Sequence, residues 1–175
     1  RMRSRDMPED TAEIDGRGNR TVREYDALGR VHRVLHPEDR IERWDYDNAG
    51  NVLRYNGGAG NDVVMTYDRA NRMVTRTDGS GMLATFRYDA AGLMTEKRER
   101  RDGYGIYGST ENFQQVHTFT HNAYGKVATV TVGRDVDGTE GLNETTFHGT
   151  WTYGYDDAQN LASVTDALGR TTTYG

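Results

Sequence analysis

Tyr25-Asp26-Ala27-Leu28-Gly29-Arg30-Val31 returns as Tyr46-Asp47-Asn48-Ala49-Gly50-Asn51-Val52. It returns again as Tyr67-Asp68-Arg69-Ala70-Asn71-Arg72-Met73 and as Tyr88-Asp89-Ala90-Ala91-Gly92-Leu93-Met94. The Tyr-to-Tyr step is 21 residues three times running. Two further copies are His121-Asn122-Ala123-Tyr124-Gly125-Lys126-Val127 and Tyr155-Asp156-Asp157-Ala158-Gln159-Asn160-Leu161, at steps of 33 and 34. Self-similarity at a fixed period is the signature of a repeat architecture.

The motif has a local physical reading. Asp favours the first position of a type I turn, where its carboxylate caps backbone N–H groups. Gly favours the fourth, where positive φ is needed. Asp-x-x-Gly between strand-like runs therefore predicts a hairpin turn with a bulge at the Gly. Asn122 replaces Asp and can make the same bonds; Asn71 replaces Gly and tolerates the left-handed region. Gln159 is the poorest substitute, so distortion is expected at that turn.

The strand entering each turn alternates. Two before the Tyr position stand Arg23, Trp44, Met65, Phe86, Phe119 and Tyr153, five of six large and apolar or aromatic. One before it stand Glu24, Asp45, Thr66, Arg87, Thr120 and Gly154, none apolar. Period two places Tyr and its second neighbour on one face. Two past the Gly position stand Val31, Val52, Met73, Met94, Val127 and Leu161. Beyond them the alternation decays, at Arg33, Arg54, Thr75 and Glu96.

Each unit thus holds two strands and two turns. The second turn varies from His36-Pro37-Glu38-Asp39 to Asp78-Gly79-Ser80-Gly81, with Asp15–Asn19 and Asp166–Arg170 as its versions at either end. Two insertions, at about 98–115 and 133–146, fall at this same turn and should leave from one edge of the sheet. The expectation is an all-β fold of roughly a dozen strands, repeated hairpins in a continuous, coiled antiparallel sheet. Residues 1–14 read as the end of a preceding repeat and 15–175 as the array. Unpaired outer strands mark a segment of something longer.

Composition supports this. Leu, Ile, Val and Phe make up only 28 of 175 residues, beside 11 Tyr, 21 Thr and 21 Gly. Strand and turn formers dominate, so a row of aromatic rings must stand in for an aliphatic core. A net charge of -5 argues against a nucleic-acid partner, and no Cys is present for a disulfide or a thiolate metal site. No apolar run approaches a membrane span, and no signal peptide opens the chain.

The six copies of Tyr-Asp-x-x-Gly, with Asp-Ala-Leu-Gly-Arg-Thr-Thr-Thr-Tyr at 166–174, closely resemble the YD repeat, also called the RHS repeat. That family includes bacterial RHS polymorphic toxins, cocoon subunits of insecticidal toxin complexes, and teneurins. The resemblance implies a hairpin ribbon spiralling into a hollow shell that encloses and delivers a toxin in the bacterial members. It implies adjacent repeats of a longer polypeptide and an enclosed toxin domain as partners, and a secreted or injected location. It implies a structural motif at Tyr25, Asp26, Gly29, Tyr46, Asp47, Gly50, Tyr67, Asp68, Asn71, Tyr88, Asp89, Gly92, His121, Asn122, Gly125, Tyr155 and Asp156. The family's self-cleaving aspartyl protease region has no counterpart here.

The remaining candidates favour bland readings. Gly103-Tyr104-Gly105-Ile106-Tyr107-Gly108 fits a dinucleotide fingerprint, but no helical period follows it. Tyr104 and Tyr107 are better placed to touch a partner, such as a glycan in a binding-module alternative. Asp135–Glu144 is acidic enough for calcium but lacks the EF-hand pattern. His117 and His121 lack the metalloprotease helix. Lys97-Arg98-Glu99-Arg100-Arg101 reads as a solvated hairpin end. The recurring Asp residues are turn formers, whereas a catalytic acid is normally unique. No catalytic residue, cofactor or metal is assigned.

Overall fold

The computed structural model describes residues 10–58, 62–102, 112–135 and 146–175. Among the described residues fourteen strands follow one another in chain order in an antiparallel sheet. The strands divide between two compact units, residues 1–81 and 82–175.

The first unit holds β1 Thr11–Ile14, β2 Arg20–Tyr25, β3 Val31–Leu35, β4 Ile41–Tyr46, β5 Val52–Asn56, β6 Asp62–Tyr67 and β7 Met73–Thr77. A single 3-10 turn, Pro37–Asp39, joins β3 to β4. The second unit holds β8 Leu83–Tyr88, β9 Met94–Asp102, β10 Asn112–His121 and β11 Val127–Asp135. It continues with β12 Thr146–Tyr155, β13 Leu161–Thr165 and β14 Thr171–Thr173.

Part of the expected insertions is strand. β9 pairs with β10 from Glu96–Thr118 out to Asp102–Asn112, and β11 reaches Asp135. The hairpins are lengthened, as four or five extra ladder positions allow. Residues 11–14, expected to be the end of a preceding repeat, form β1 against β2.

The decay of alternation after each turn has a structural cause. Tyr25 lies opposite Val31, but Glu24 lies opposite Arg33, so His32 is an unpaired bulge residue. The same one-residue shift falls just before the Tyr position in all six copies. A bulge restarts the period of two on the other phase. Val31 therefore shares the Tyr face, while Arg33 joins Glu24 on the opposite face.

This assigns both faces. Trp44 lies opposite Tyr55 with ring centroids 5.2 Å apart, on the face of Tyr46. The other face carries polar pairs at the same register. Arg33 meets Glu24 at 3.2 Å, Arg87 meets Glu96 at 3.5 Å, and Thr66 and Thr75 hydroxyls meet at 2.6 Å. Thr120 and Thr129 repeat this at 2.7 Å. Among the described residues only Val34, Ala84 and Val116 are buried apolar side chains. The rings of the aromatic face are half-buried, as a thin core with little aliphatic bulk dictates.

The basic run at 97–101 is not a uniformly solvated end. Arg98 is 5% exposed and binds Glu96 at 2.9 Å and Asp135 at 2.7 Å, across β10. Lys97 pairs with Glu99 at 2.9 Å on the opposite face. Asp135, an end of the calcium candidate, is committed to this buried pair.

Candidate functional site

The feature that recurs is the turn edge formed by the Tyr-Asp motif. Each copy closes in the same way. Asp26 N–H donates to Arg30 O at 2.8 Å, and Gly29 N–H donates to Asp26 O at 2.9 Å. This is a type I turn closed by a bulge, which needs the fourth residue in the left-handed region. Gly29, Gly50, Gly92 and Gly125 have φ of 78°, 94°, 87° and 76°. Asn71 and Gln159 take the same place at 60° and 64°. The Gln159 turn is not distorted: its N–H donates to Asp156 O at 2.9 Å and Asp156 N–H to Asn160 O at 3.0 Å.

The Asp side chain holds the loop from inside. In Asp47, Oδ1 accepts from Ala49 N–H at 2.9 Å and Asn51 N–H at 2.8 Å. Oδ2 accepts from the Asn51 side-chain amide at 2.8 Å. Asp68 repeats the scheme with Arg72, whose Nε lies 2.7 Å from Oδ2, and Asp156 with Asn160. Asn122 keeps the two backbone bonds, to Tyr124 and Lys126 N–H, both at 3.0 Å. In the Asp89 turn, Leu93 N–H reaches Oδ1 at 2.8 Å, but its side chain has no donor to offer. The residue after the Gly position is thus a clamp on the second carboxylate oxygen.

These bonds favour the ionised carboxylate. Asp26 and Asp68 are held below the usual carboxylate range, first by the backbone N–H of Arg30 and Arg72. Asp47 is lowered first by the Asn51 side chain, and Asp156 first by the Asn160 N–H. The far-edge turns Asp15–Asn19 and Asp166–Arg170 have identical bonding, and both Asp residues are lowered, led by the Asn19 and Arg170 side chains.

The Tyr side chains then tie one repeat to the previous one. Tyr46 O–H donates to Val31 O at 2.6 Å, Tyr67 O–H to Val52 O at 3.0 Å, and Tyr155 O–H to Val127 O at 2.9 Å. Each acceptor is the residue two past the Gly position. Burial pushes the Tyr46 and Tyr67 phenols up, which keeps the donor proton in place. Tyr25 belongs to the first copy in this sequence, and its O–H lies 3.3 Å from Thr11 Oγ1. His121 stands in the Tyr position opposite Val127 and carries no hydroxyl.

A second set of bonds runs along the edge from turn to turn. Arg30 reaches Asp47 O at 3.0 Å while its guanidinium lies 4.4 Å above the Tyr46 ring. Asn51 Nδ2 donates to Asn71 Oδ1 at 2.9 Å, and Asn122 Nδ2 to Gln159 Oε1 at 3.3 Å. The motif residues at Tyr88, Asp89 and Gly92 occupy the same register, with Tyr88 opposite Met94. The edge is built to couple neighbouring repeats.

The phenol bond, the side-chain clamp and the turn-to-turn bonds were not read from the sequence. The visible signal for the clamp is the residue after the Gly position, which is Arg or Asn in four of the six copies and Leu93 or Lys126 in the others. Tyr104, Tyr107 and the whole 103–108 fingerprint lie outside the described residues, as does 136–144. Among the described residues no group of three His, Asp or Glu is arranged for a metal. Among the described residues, no helix is long and apolar enough to cross a membrane. His117 stacks on Phe119 with centroids 6.5 Å apart on the aromatic face.

The teneurin YD-shell family model matches residues 8–132, and the RHS repeat model matches residues 155–175. Among solved structures, a chain of the Photorhabdus luminescens Tc holotoxin pore superposes with a TM-score of 0.67 at 16% identity, over 93% of this chain and 9% of its own. A chain in the crystal structure of TcdB2-TccC3-Cdc42 gives 0.62 at 19% identity, over 85% of this chain and 7% of its own. At that identity the likeness shows the fold. The chain spans less than a tenth of either neighbour. No curated protein matches.

Proposed function

The chain belongs to the teneurin YD-shell family, and from that premise we propose that it is a wall segment of a shell enclosing a polypeptide for delivery. The observation that carries this reading is the two-faced single layer. One face presents rings such as Trp44 and Tyr55, half-buried, and the other presents paired charges and threonines. An open sheet with such a face gains by enclosing something against it. The turn edge supplies the coupling from repeat to repeat that a continuous wall requires. On this reading residues 15–175 are consecutive wall repeats, residues 1–14 belong to the repeat before them, and adjacent repeats are the first partners. The cargo is a toxin or similar polypeptide, the protein acts after secretion or injection, and this segment performs no catalysis.

The test is limited proteolysis of the full-length product that carries this segment, with its enclosed polypeptide. The intact wall should protect the cargo. Removing one repeat, residues 47–67, should open the wall while leaving the flanking turns paired, and the cargo should become cleavable. A cargo cleaved equally fast in both proteins would sink the proposal.

A further inference from the structure

We propose that Asn56 is a self-modification site, converted by deamidation in the folded chain. Asn56-Gly57 is the one Asn-Gly pair in the sequence. The reaction needs the backbone nitrogen of the following residue to attack the side-chain amide carbon. A following glycine offers that nitrogen without a Cβ in the way. Here the turn adds three further features.

First, among the described residues the Gly57 N–H meets no acceptor. Second, Gly58 N–H donates to Asn56 Oδ1 at 2.9 Å. That donor polarises the amide carbonyl and is in place for the negative charge that develops on Oδ1 during attack. Third, Asn56 Nδ2 donates to Asp62 Oδ1, directly across the β5–β6 ladder. A carboxylate beside the leaving nitrogen stabilises it as it takes on a proton and positive charge. Asp62 is itself held by Arg54 at 2.7 Å.

The step balances as follows. Water or hydroxide removes the Gly57 amide proton, and the nitrogen bonds to Asn56 Cγ. The Cγ–Nδ2 bond breaks, and the nitrogen leaves as ammonia with a proton from water. Water then opens the cyclic imide at either carbonyl, giving aspartate or isoaspartate. No oxidant or reductant enters. The product carboxylate faces Asp62 across the ladder, and like charges directly opposite are destabilising. An isoaspartate also lengthens the backbone beside Gly58, where a Cβ would lie only 2.6 Å from Ile41 O. The β5–β6 hairpin is therefore expected to loosen as the protein ages.

The experiment is a time course at mildly alkaline pH and 37 °C, read by peptide mapping with mass spectrometry in heavy-oxygen water. The folded chain is compared with the same chain in urea. Conversion at Asn56 should run at least as fast folded as unfolded; that comparison needs no variant. Asp62→Asn should slow the folded reaction by about tenfold, less than the roughly 100-fold or more of a direct proton-transfer partner, because Asp62 only steadies the leaving nitrogen. It should leave the urea rate unchanged. Gly57→Ala should suppress conversion in both. Slower conversion in the folded chain than in urea would overturn the proposal, because the turn would then be protecting the amide. An unchanged folded rate in a folded Asp62→Asn protein would overturn the role of Asp62.

Discussion

Gly50 isolates the cost of the turn conformation from every other effect. Its φ is 94°, and a Cβ built on it meets nothing within 4 Å. Only backbone strain opposes a side chain there. An L-residue in the left-handed region costs about 1–2 kcal/mol, and a β-branched one sits at the upper end. Gly50→Val should therefore cost about 2 kcal/mol. Gly50→Asn should cost about 0.5 kcal/mol, since Asn bonds locally in that region, and the chain itself places Asn71 there at φ 60°. Gly58 adds a second effect. Its φ is 86°, and its Cβ would meet Ile41 O at 2.6 Å, a backbone atom that cannot swing away. Gly58→Ala should cost the strain plus about 1–3 kcal/mol of overpacking. It should exceed Gly50→Val although alanine is the smaller residue. Urea unfolding followed by circular dichroism reads the order. With a slope of about 2 kcal/mol per molar, Gly50→Val moves the midpoint down by about 1 M. Equal midpoints for Gly50→Val and Gly50→Asn would refute the turn assignment. A Gly58→Ala protein no weaker than Gly50→Val would refute the close approach to Ile41.

Tyr67→Phe removes the hydrogen bond to Val52 O and keeps the ring, so it should cost about 1 kcal/mol. Tyr124→Phe, at a residue 73% exposed, should be neutral in the same urea assay, and equal losses would discount the inter-repeat bond. Acid should loosen both units. Asp15, Asp26, Asp47, Asp68, Asp156 and Asp166 all have depressed folded values. Their contribution is fully present above the unfolded carboxylate value of about 4 and is lost as pH falls through the lower folded values. Stability measured by urea midpoint should hold steady from about pH 6 to 5 and decline below about pH 4. A midpoint that stays flat down to about pH 2 would contradict the carboxylate bonding.

Most of the architecture is legible because the repeat announces its own turns. Asp-x-x-Gly fixes a conformation through local chemistry, and period-two alternation fixes the entering strand. The leaving strand resisted because one unpaired residue, His32 in the first copy, resets the phase. The signal that resolves it lies in two lists that look unrelated. The residues one before the Tyr position are Glu24, Asp45, Thr66, Arg87, Thr120 and Gly154. Those four past the Gly position are Arg33, Arg54, Thr75, Glu96, Thr129 and Ser163. Read side by side they are acid with base, acid with base, Thr with Thr, base with acid, Thr with Thr, and Gly with Ser. The register places all six as direct cross-strand pairs. Gly154 is explained by its partner, since a Cβ there would lie 2.3 Å from Ser163 Oγ. The buried Arg98–Asp135 pair could not be read this way, because its partners stand 37 positions apart in chain order and meet across a third strand.

The two Tyr-Asp turns that lack glycine carry the most about how the edge works. A non-glycine residue at positive φ costs stability unless its side chain recovers something. Asn71 and Gln159 each offer a side-chain oxygen to the preceding turn, one to Asn51 and the other to Asn122. In the first turn the link runs instead from Arg30 to the Asp47 carbonyl. Gly50 thus follows a turn whose Arg30 links to backbone, while Asn71 and Gln159 each accept a link from an Asn. Asn51 and Asn71 join the fifth residue of one turn to the fourth of the next, whereas Asn122 and Gln159 join the first to the fourth. Coupling between repeats, not the single hairpin, is what these substitutions preserve, as a wall that must not open between its strands demands.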